Sequence, residues 1–296
     1  MNPMPQETDG RVPKRTEYGA ALVWLAPRVT PRDREILNGL YEHHVMTTGH
    51  LHRLFFPQTA GRRVRKRLLE LHRYELLDRF KPFPGRHIAD HWVLAPMGAA
   101  LVAEHRGVEL SELGFRHDRV LAWAHSGRLG HMLGLVECLA LTTEAARSLP
   151  VARLVRWDNE RECARRWGRH IRPDAYMRWH QGRVELDAFW EYDTGSESLT
   201  KVQRKMGGYA RLARESRIAS VVLFAVHSDQ REDHLAAKLS GDVSDQVGVY
   251  VSTHARLAAQ GPAEAVWRAV GASASPDRLR LVDIGRRHCL PEPGEG

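Results

Sequence analysis

Apolar residues spaced three and four apart predict a series of helices in the first hundred positions. The first carries Ile36, Leu37 and Leu40 and opens with Thr30-Pro31-Arg32-Asp33, a capping threonine, a proline at the first helical position and an acid in the first turn. After a break at His43-His44-Val45-Met46, Thr47-Thr48 caps a short helix with Leu51, Leu54 and Phe55, which Pro57 ends. Thr59 is the expected cap of a third helix, whose buried stripe is Val64, Leu68 and Leu71. LLDRFKPF and ADHWVLAP then predict two strands around a Pro84-Gly85 loop, and Pro96 opens a further helix. Three short helices followed by a hairpin is the order of a winged helix, a form of the helix-turn-helix.

The later pattern is different. Residues 107–117 are expected as a linker, and a long helical stretch from Asp118 to Leu149 is broken by Gly127, Gly130 and Gly134 into two helices with a bend. VARLVRW, AYMRW and VELDAFWEYD alternate as strands, the last two as a hairpin turning at Gln181-Gly182. A lysine-bearing helix follows. IASVVLFAV is apolar throughout, as a strand buried on both faces is. A polar helix near Arg231–Leu239, the strand VGVYV and a helix over AEAVWRAV complete an α/β sandwich with a mixed sheet. The expected organisation is an arm at 1–29, a first domain at 30–106, a linker at 107–117, a second domain at 118–272 and a tail at 273–296.

Composition narrows the class. The chain has 296 residues, 43% hydrophobic and 27% charged, as in a globular protein. No apolar run reaches the ~18 residues of a membrane span, and the polar first fifteen positions, MNPMPQETDGRVPKR, do not read as a signal peptide. Cys138, Cys163 and Cys289 form no CxxC pair, which fits a reducing cytoplasm rather than a disulfide framework or structural zinc. The net charge of +8 points to a polyanionic partner. From Thr59 to Arg73 six cations (Arg62, Arg63, Arg65, Lys66, Arg67 and Arg73) stand against one glutamate, on the helix that a winged helix lays into the DNA major groove. These six, with Arg86 in the hairpin loop, are the expected contacts to double-stranded DNA. A charge run can equally be a solvated helix face.

The candidate chemistry lies between residues 170 and 209. A turn at Gln181-Gly182 puts Asp174 opposite Phe189 and so on the same face as Glu191 and Asp193. Gathered carboxylates repel, and a divalent cation with oxygen ligands is the usual relief. The other reading is an acidic, solvated strand face. Trp157, Trp167, Trp179 and Trp190 invite base stacking, yet strand aromatics are more often core. His87 and His91 lack the partners of a four-ligand metal site.

Taken in order, RDREILNGLYEHHVMTTGHLHRLFF, RRVRKRLLELHRYELLDRF, Gly130-His131, RPDAYMRW, FWEYDTGSES, the Lys205-to-Tyr209 spacing and GPAEAVW resemble the replication-relaxation family of plasmids and integrative elements. The resemblance runs over roughly residues 30–270. It implies a winged helix joined to a restriction-endonuclease-like, PD-(D/E)xK domain, and a role in replication, relaxation or transfer of mobile-element DNA. In that pattern Asp174 is the first metal-binding acid and Glu191 the second, with Asp193 where the pattern has lysine. The missing charge is then supplied from the next helix by Lys205, in preference to Lys201, because Lys205 and Tyr209 repeat a Q-x-x-x-Y spacing with Lys for Gln. Glu137 is a further candidate ligand. The implied cofactor is Mg²⁺ or Mn²⁺, held by Asp174, Glu191 and Asp193, with Lys205 on the water or the oxyanion. DNA, replication or relaxase proteins and a second copy of the chain are the implied partners. Asp193 leaves two alternatives open: a degenerate, partner-binding scaffold, and a transcriptional regulator that works through its winged helix.

Overall fold

The computed structural model describes residues 19–82, 89–123, 126–216, 220–241, 246–271 and 277–288. It divides into two units, Met1–Val136 and Glu137–Gly296, together a mixed α+β protein.

In the first unit, α1 (Gly19–Leu25) lies within the expected arm and buries Leu25 while leaving Trp24 half exposed. Helix α2 (Pro31–His43) starts at the expected cap: the Thr30 hydroxyl accepts the Asp33 N–H, and the Asp33 carboxylate accepts the Thr30 N–H at 2.7 Å. The expected break holds a strand, β1 (Val45–Thr47), after which Thr47 caps α3 (Thr48–Phe55). Helix α4 (Gly61–Arg73) buries Val64, Leu68 and Leu71 as its spacing requires, but its N-cap is Ala60, and Thr59 makes no cap bond. Strands β2 (Leu77–Phe80) and β3 (His91–Leu94) complete an antiparallel sheet in the order β1-β3-β2. The Pro84-Gly85 loop, with Arg86 and His87, lies outside the described residues.

Helix α5 (Pro96–Arg106) ends at Gly107. The expected linker is packed: a 3₁₀ turn at Leu110–Leu113 buries both leucines, and Tyr41 donates its hydroxyl to the Leu113 carbonyl at 2.9 Å. Helix α6 (His117–Ala122) follows, and α7 (Leu129–Ser148) contains the division between the units. The predicted interruption near Gly127 is therefore real.

The second unit is built on a six-stranded sheet in chain order: β4 (Ala152–Asn159), β5 (Ala175–Gln181), β6 (Val184–Asp193), β7 (Ser220–Val226), β8 (Val247–Thr253) and β9 (Arg268–Val270). Strands β4 to β6 are antiparallel, β6 to β8 parallel, and β9 antiparallel at the edge. Between them run α8 (Glu160–Trp167), α9 (Leu199–Ser216), α10 (Asp229–Leu239) and α11 (His254–Gln260). All seven residues of β7 are buried, which explains its unbroken apolar run. Tyr176, Phe189, Val222, Phe224 and Val249 pack with Val202, Met206 and Tyr209 of α9 and Leu235 of α10 in one core. Each large apolar side chain buried there contributes about 1.5–3 kcal/mol.

Two further expectations fail. AEAVWRAV is not a helix. The chain leaves α11 at Gly261 (φ 88°), turns, and runs into β9, where β-branched Val270 pairs with Val249. The expected tail contains α12 (Leu281–His288), which buries Leu281, Val282 and Ile284 against the sheet. Gly285 permits that approach, since a Cβ there would stand 2.4 Å from Val184 Cγ1 on β6.

Candidate functional site

The β5–β6 turn fixes the site. It is made by Gly182 and Arg183, not by Gln181 and Gly182, and Gly182 takes φ 63° at the first turn position. Gln181 therefore pairs with Val184 and Tyr176 with Phe189. Relative to the expected register the strands slip by two residues in pairing. The faces are kept, and Asp174, one residue before β5, comes opposite Glu191 itself.

Asp174 is anchored from its own end, its Oδ2 accepting the Tyr192 N–H at 2.8 Å. Glu191 is buried. Its two oxygens are met by α9, with Lys205 Nζ at 2.7 Å and the Tyr209 hydroxyl at 2.6 Å. Lys205 and Tyr209 stand four apart, one helical turn, so both reach the same strand position. The four-residue spacing of Lys205 and Tyr209 thus has a geometric meaning: a single carboxylate clamped by two donors.

Burial first, and the charge of Asp174 second, push the Glu191 carboxyl up to about 7, against the pull of Lys205 and Tyr209. Burial works against the charge of Lys205 too, but Glu191 and then Asp174 hold its pKa above the ordinary lysine range. Burial and then Glu191 raise the Tyr209 hydroxyl well above its usual range, so at neutral pH it is a donor. Glu197 lies 3.6 Å from Lys205 and pairs with Lys201 at 2.5 Å, which places Lys201 one step further out.

Asp193 is placed otherwise than expected. Its Oδ1 accepts the Gly195 N–H at 2.6 Å and its Oδ2 accepts Arg231 Nε at 2.8 Å. Arg231, from α10, also donates to the Glu197 carbonyl at 2.6 Å. Asp193 is thus neutralised by an arginine from another element. Spacing within 170–209 gave no sign of that partner. Among the described residues, no three His, Cys, Asp or Glu side chains converge as a ready-made metal site. Glu137 is on α7, and after burial it and then Asp174 push the Cys138 thiol up.

In the first unit Arg62, Arg63, Arg65, Lys66 and Arg73 are exposed on α4, and Arg86 is outside the described residues. Arg67 is a different kind of residue. It pairs with the buried Asp33, through Nε at 3.0 Å and again through Nη2, and with Glu70 at 2.6 Å. Its guanidinium is committed to the fold and is withdrawn from the set of expected DNA contacts. The sequence carried the signal, because position 67 lies three after Val64 and four before Leu71, on the buried stripe. Trp179 and Trp190 are core residues, buried and closed to bases. His50 belongs to the α3 cap, and His91 is buried in β3.

The fold and the cluster define a two-unit α+β protein whose second unit sets two carboxylates, a lysine and a tyrosine on one face of a mixed sheet. The sequence model of the replication-relaxation family matches residues 37–221, well over half of the chain. The chain belongs to that family, which suggests a role in the replication or relaxation of mobile elements. The matched span includes Asp174, Glu191, Lys205 and Tyr209 and ends before Arg231. Comparison with curated proteins and with solved structures gives no match. Among the described residues no helix is long and apolar enough to cross a membrane.

Proposed function

We propose that the protein binds double-stranded DNA through its first unit and nicks it with the second, as a metal-dependent endonuclease of mobile-element replication or transfer. The observation that carries the catalytic half is Glu191, a buried carboxylate opposite Asp174 and clamped by Lys205. A buried acid beside a second acid is costly unless a cation serves both. Asp174 and Glu191 supply the hard oxygen donors that Mg²⁺ or Mn²⁺ takes alongside phosphate and water. Asp193 does not fit as a third ligand, since Arg231 and Gly195 occupy its oxygens. Bound there, the cation would supply charge stabilisation on the scissile phosphate and an activated water. Lys205, released from Glu191, is the group within reach to neutralise developing oxyanion charge. Tyr209 keeps Glu191 aimed by donating to its Oε1.

The DNA-binding half rests on the first unit's element order and on the exposed cations of α4. The order α2, α3, α4 and the β1-β3-β2 pairing support reading the first unit as a winged helix, in which α4 would be the recognition helix. If Arg63 and Arg65 meet phosphates, replacing each by alanine should flatten the slope of log affinity against log salt by about 0.9. Titration of duplex binding across salt concentrations reads this directly, and unchanged slopes would remove α4 from the interface.

The catalytic test is supercoiled plasmid with Mg²⁺ or Mn²⁺ and either the wild type or Asp174→Asn. The asparagine keeps an oxygen for the Tyr192 N–H and removes the charge, so nicking should fall to background with DNA retention unchanged. Equal nicking by both would strip Asp174 of its role. The second reading, a non-catalytic scaffold serving a DNA-binding or regulatory first unit, is favoured by the Asp193–Arg231 pair. It is the outcome if wild type retards DNA and never cuts it.

A further inference from the structure

Helix α9 presents two chemically different faces. Inward go Val202, Met206, Tyr209 and Leu212, with Lys205 at the margin on Glu191. Outward go Lys201, Arg204, Arg211 and Arg214, all exposed. At 100° per residue these four fall within a sector of about 140°, which at its far end also holds Glu215, an acid engaged by Arg169 at 3.8 Å and His170 at 3.3 Å. Gly207 is exposed between them, so no side chain interrupts the row.

Their pairing state is informative. Lys201 is tied to Glu197. Among the described residues, Arg204, Arg211 and Arg214 have no carboxylate within ion-pair distance, whereas several other arginines of the unit are closely paired: Arg178 with Asp187, Arg231 with Asp193, Arg256 with Glu232, Arg278 with Glu232. Like charges left adjacent and uncompensated cost stability through self-repulsion, and a polyanion removes that cost.

The row is also continuous with the site. Arg204 neighbours Lys205 in the chain. The segment before β5 crosses α9 closely enough that a Cβ at Gly208 would stand 2.7 Å from the His170 carbonyl oxygen. That segment carries Arg172, exposed, likewise without a carboxylate partner among the described residues, two positions before Asp174.

We infer that the outer face of α9, with Arg172, is a second DNA-binding surface that holds the sugar-phosphate backbone of a strand running past Asp174 and Glu191. From Lys201 to Arg214 the helix extends for about 20 Å at 1.5 Å per residue, the length of roughly six phosphates of one strand at 3.4 Å each. Three unpaired guanidiniums over that length suit backbone contacts, which give affinity and register without reading sequence. The second unit then grips the DNA it acts on, and its affinity does not derive from the first unit alone. This rests on the reading of the second unit as a DNA-acting module, but not on the cutting step.

The test is binding of a fluorescent duplex to the full chain without divalent metal, over a range of salt. The variant is Arg204→Ala/Arg211→Ala/Arg214→Ala. A control of equal charge removes Arg153, Arg183 and Lys238, exposed cations of the same unit on other elements. The α9 variant should shallow the log–log salt slope by about 2.7, three contacts at 0.9 each, and the control should leave it within error of wild type. Equal slopes for wild type and the α9 variant, or equal losses in variant and control, would overturn the inference. Because metal is absent, the α9 result stands even if the protein never nicks DNA. Nicking with an unchanged slope would sink the track and spare the active site.

Discussion

Arg67→Ala is expected to destabilise the first unit by about 3–5 kcal/mol, the cost of stranding a buried carboxylate. Asp33 is 1% exposed. Besides Thr30, its partner is Arg67, which reaches it from a helix 34 positions later and also donates to the Arg28 carbonyl. Burial works to raise the Asp33 pKa, but the hydrogen bonds from Arg67 and Thr30 outweigh it and leave the group below its ordinary value. A depressed acid contributes stability that is present above its unfolded pKa and lost as pH falls through the folded one. The deficit of Arg67→Ala should therefore be full at neutral pH and shrink under acid, once Asp33 protonates in both proteins. Arg65→Ala, exposed on the same helix, should shift stability by no more than about 0.5 kcal/mol. Urea unfolding of the full chain, with the transition assigned to the first unit by its response to these variants, measures both. A loss below about 1 kcal/mol for Arg67→Ala would mean that the pair does not hold α2 to α4. Asp33→Asn in the Arg67→Ala background should restore part of the loss, because the stranded charge is gone.

Local rules decided which parts of this fold were legible beforehand. Thr30 and Thr47 cap their helices because a side-chain oxygen next to an apolar stripe has one good use. Strand β7 was visible because both its faces are buried. What stayed hidden was set by distant contacts. The three residues of β1 are a strand only because β3 lies alongside. Ala263–Val270 has helix-forming composition at its start, and pairing with β8 overrules it. Helix α12 is short and polar-flanked, and its docking on β6 depends on Gly285. The site divides in the same way. Strand parity put Asp174 and Glu191 on one face, and the resemblance to a Q-x-x-x-Y spacing singled out Lys205, both of them periodic signals. Arg231 comes from α10, 38 positions beyond Asp193, and no period connects the two. The basic run on α4 was read as one set, although the spacing of Arg67 from Val64 and Leu71 already marked it as the member that turns toward the buried Asp33.

Lys205→Met should cost little up to about pH 7, at most about 1.4 kcal/mol by pH 8 and at most about 2.7 kcal/mol by pH 9, since each pH unit above the wild-type Glu191 pKa of about 7 is worth at most about 1.36 kcal/mol. The reason is the state of Glu191. Its folded pKa, pushed up to about 7, lies above the ordinary carboxylate value. Between the two the native protein binds a proton that the unfolded chain has released, so this group's contribution to stability falls as pH rises through that window. Lys205 and Tyr209 are the pulls that keep the folded pKa from climbing higher. Without the ammonium, the falling limb extends to higher pH and the variant diverges from wild type across it. The interaction is counted once, since the upward shift of Lys205 is the same pairing seen from its other side, and that lysine loses its charge only in strong alkali. Protonation offers Glu191 an escape that Asp33 lacks at neutral pH, which is why the cost here is smaller and pH-dependent. Urea unfolding of wild type and Lys205→Met from pH 5 to 9 gives the profile, and a deficit constant over that range would reduce Lys205 to a packing residue. Added Mg²⁺ supplies an independent check: if Asp174 and Glu191 share a cation, it should recover part of the variant's alkaline deficit, while Lys205→Met/Asp174→Asn should gain nothing from it.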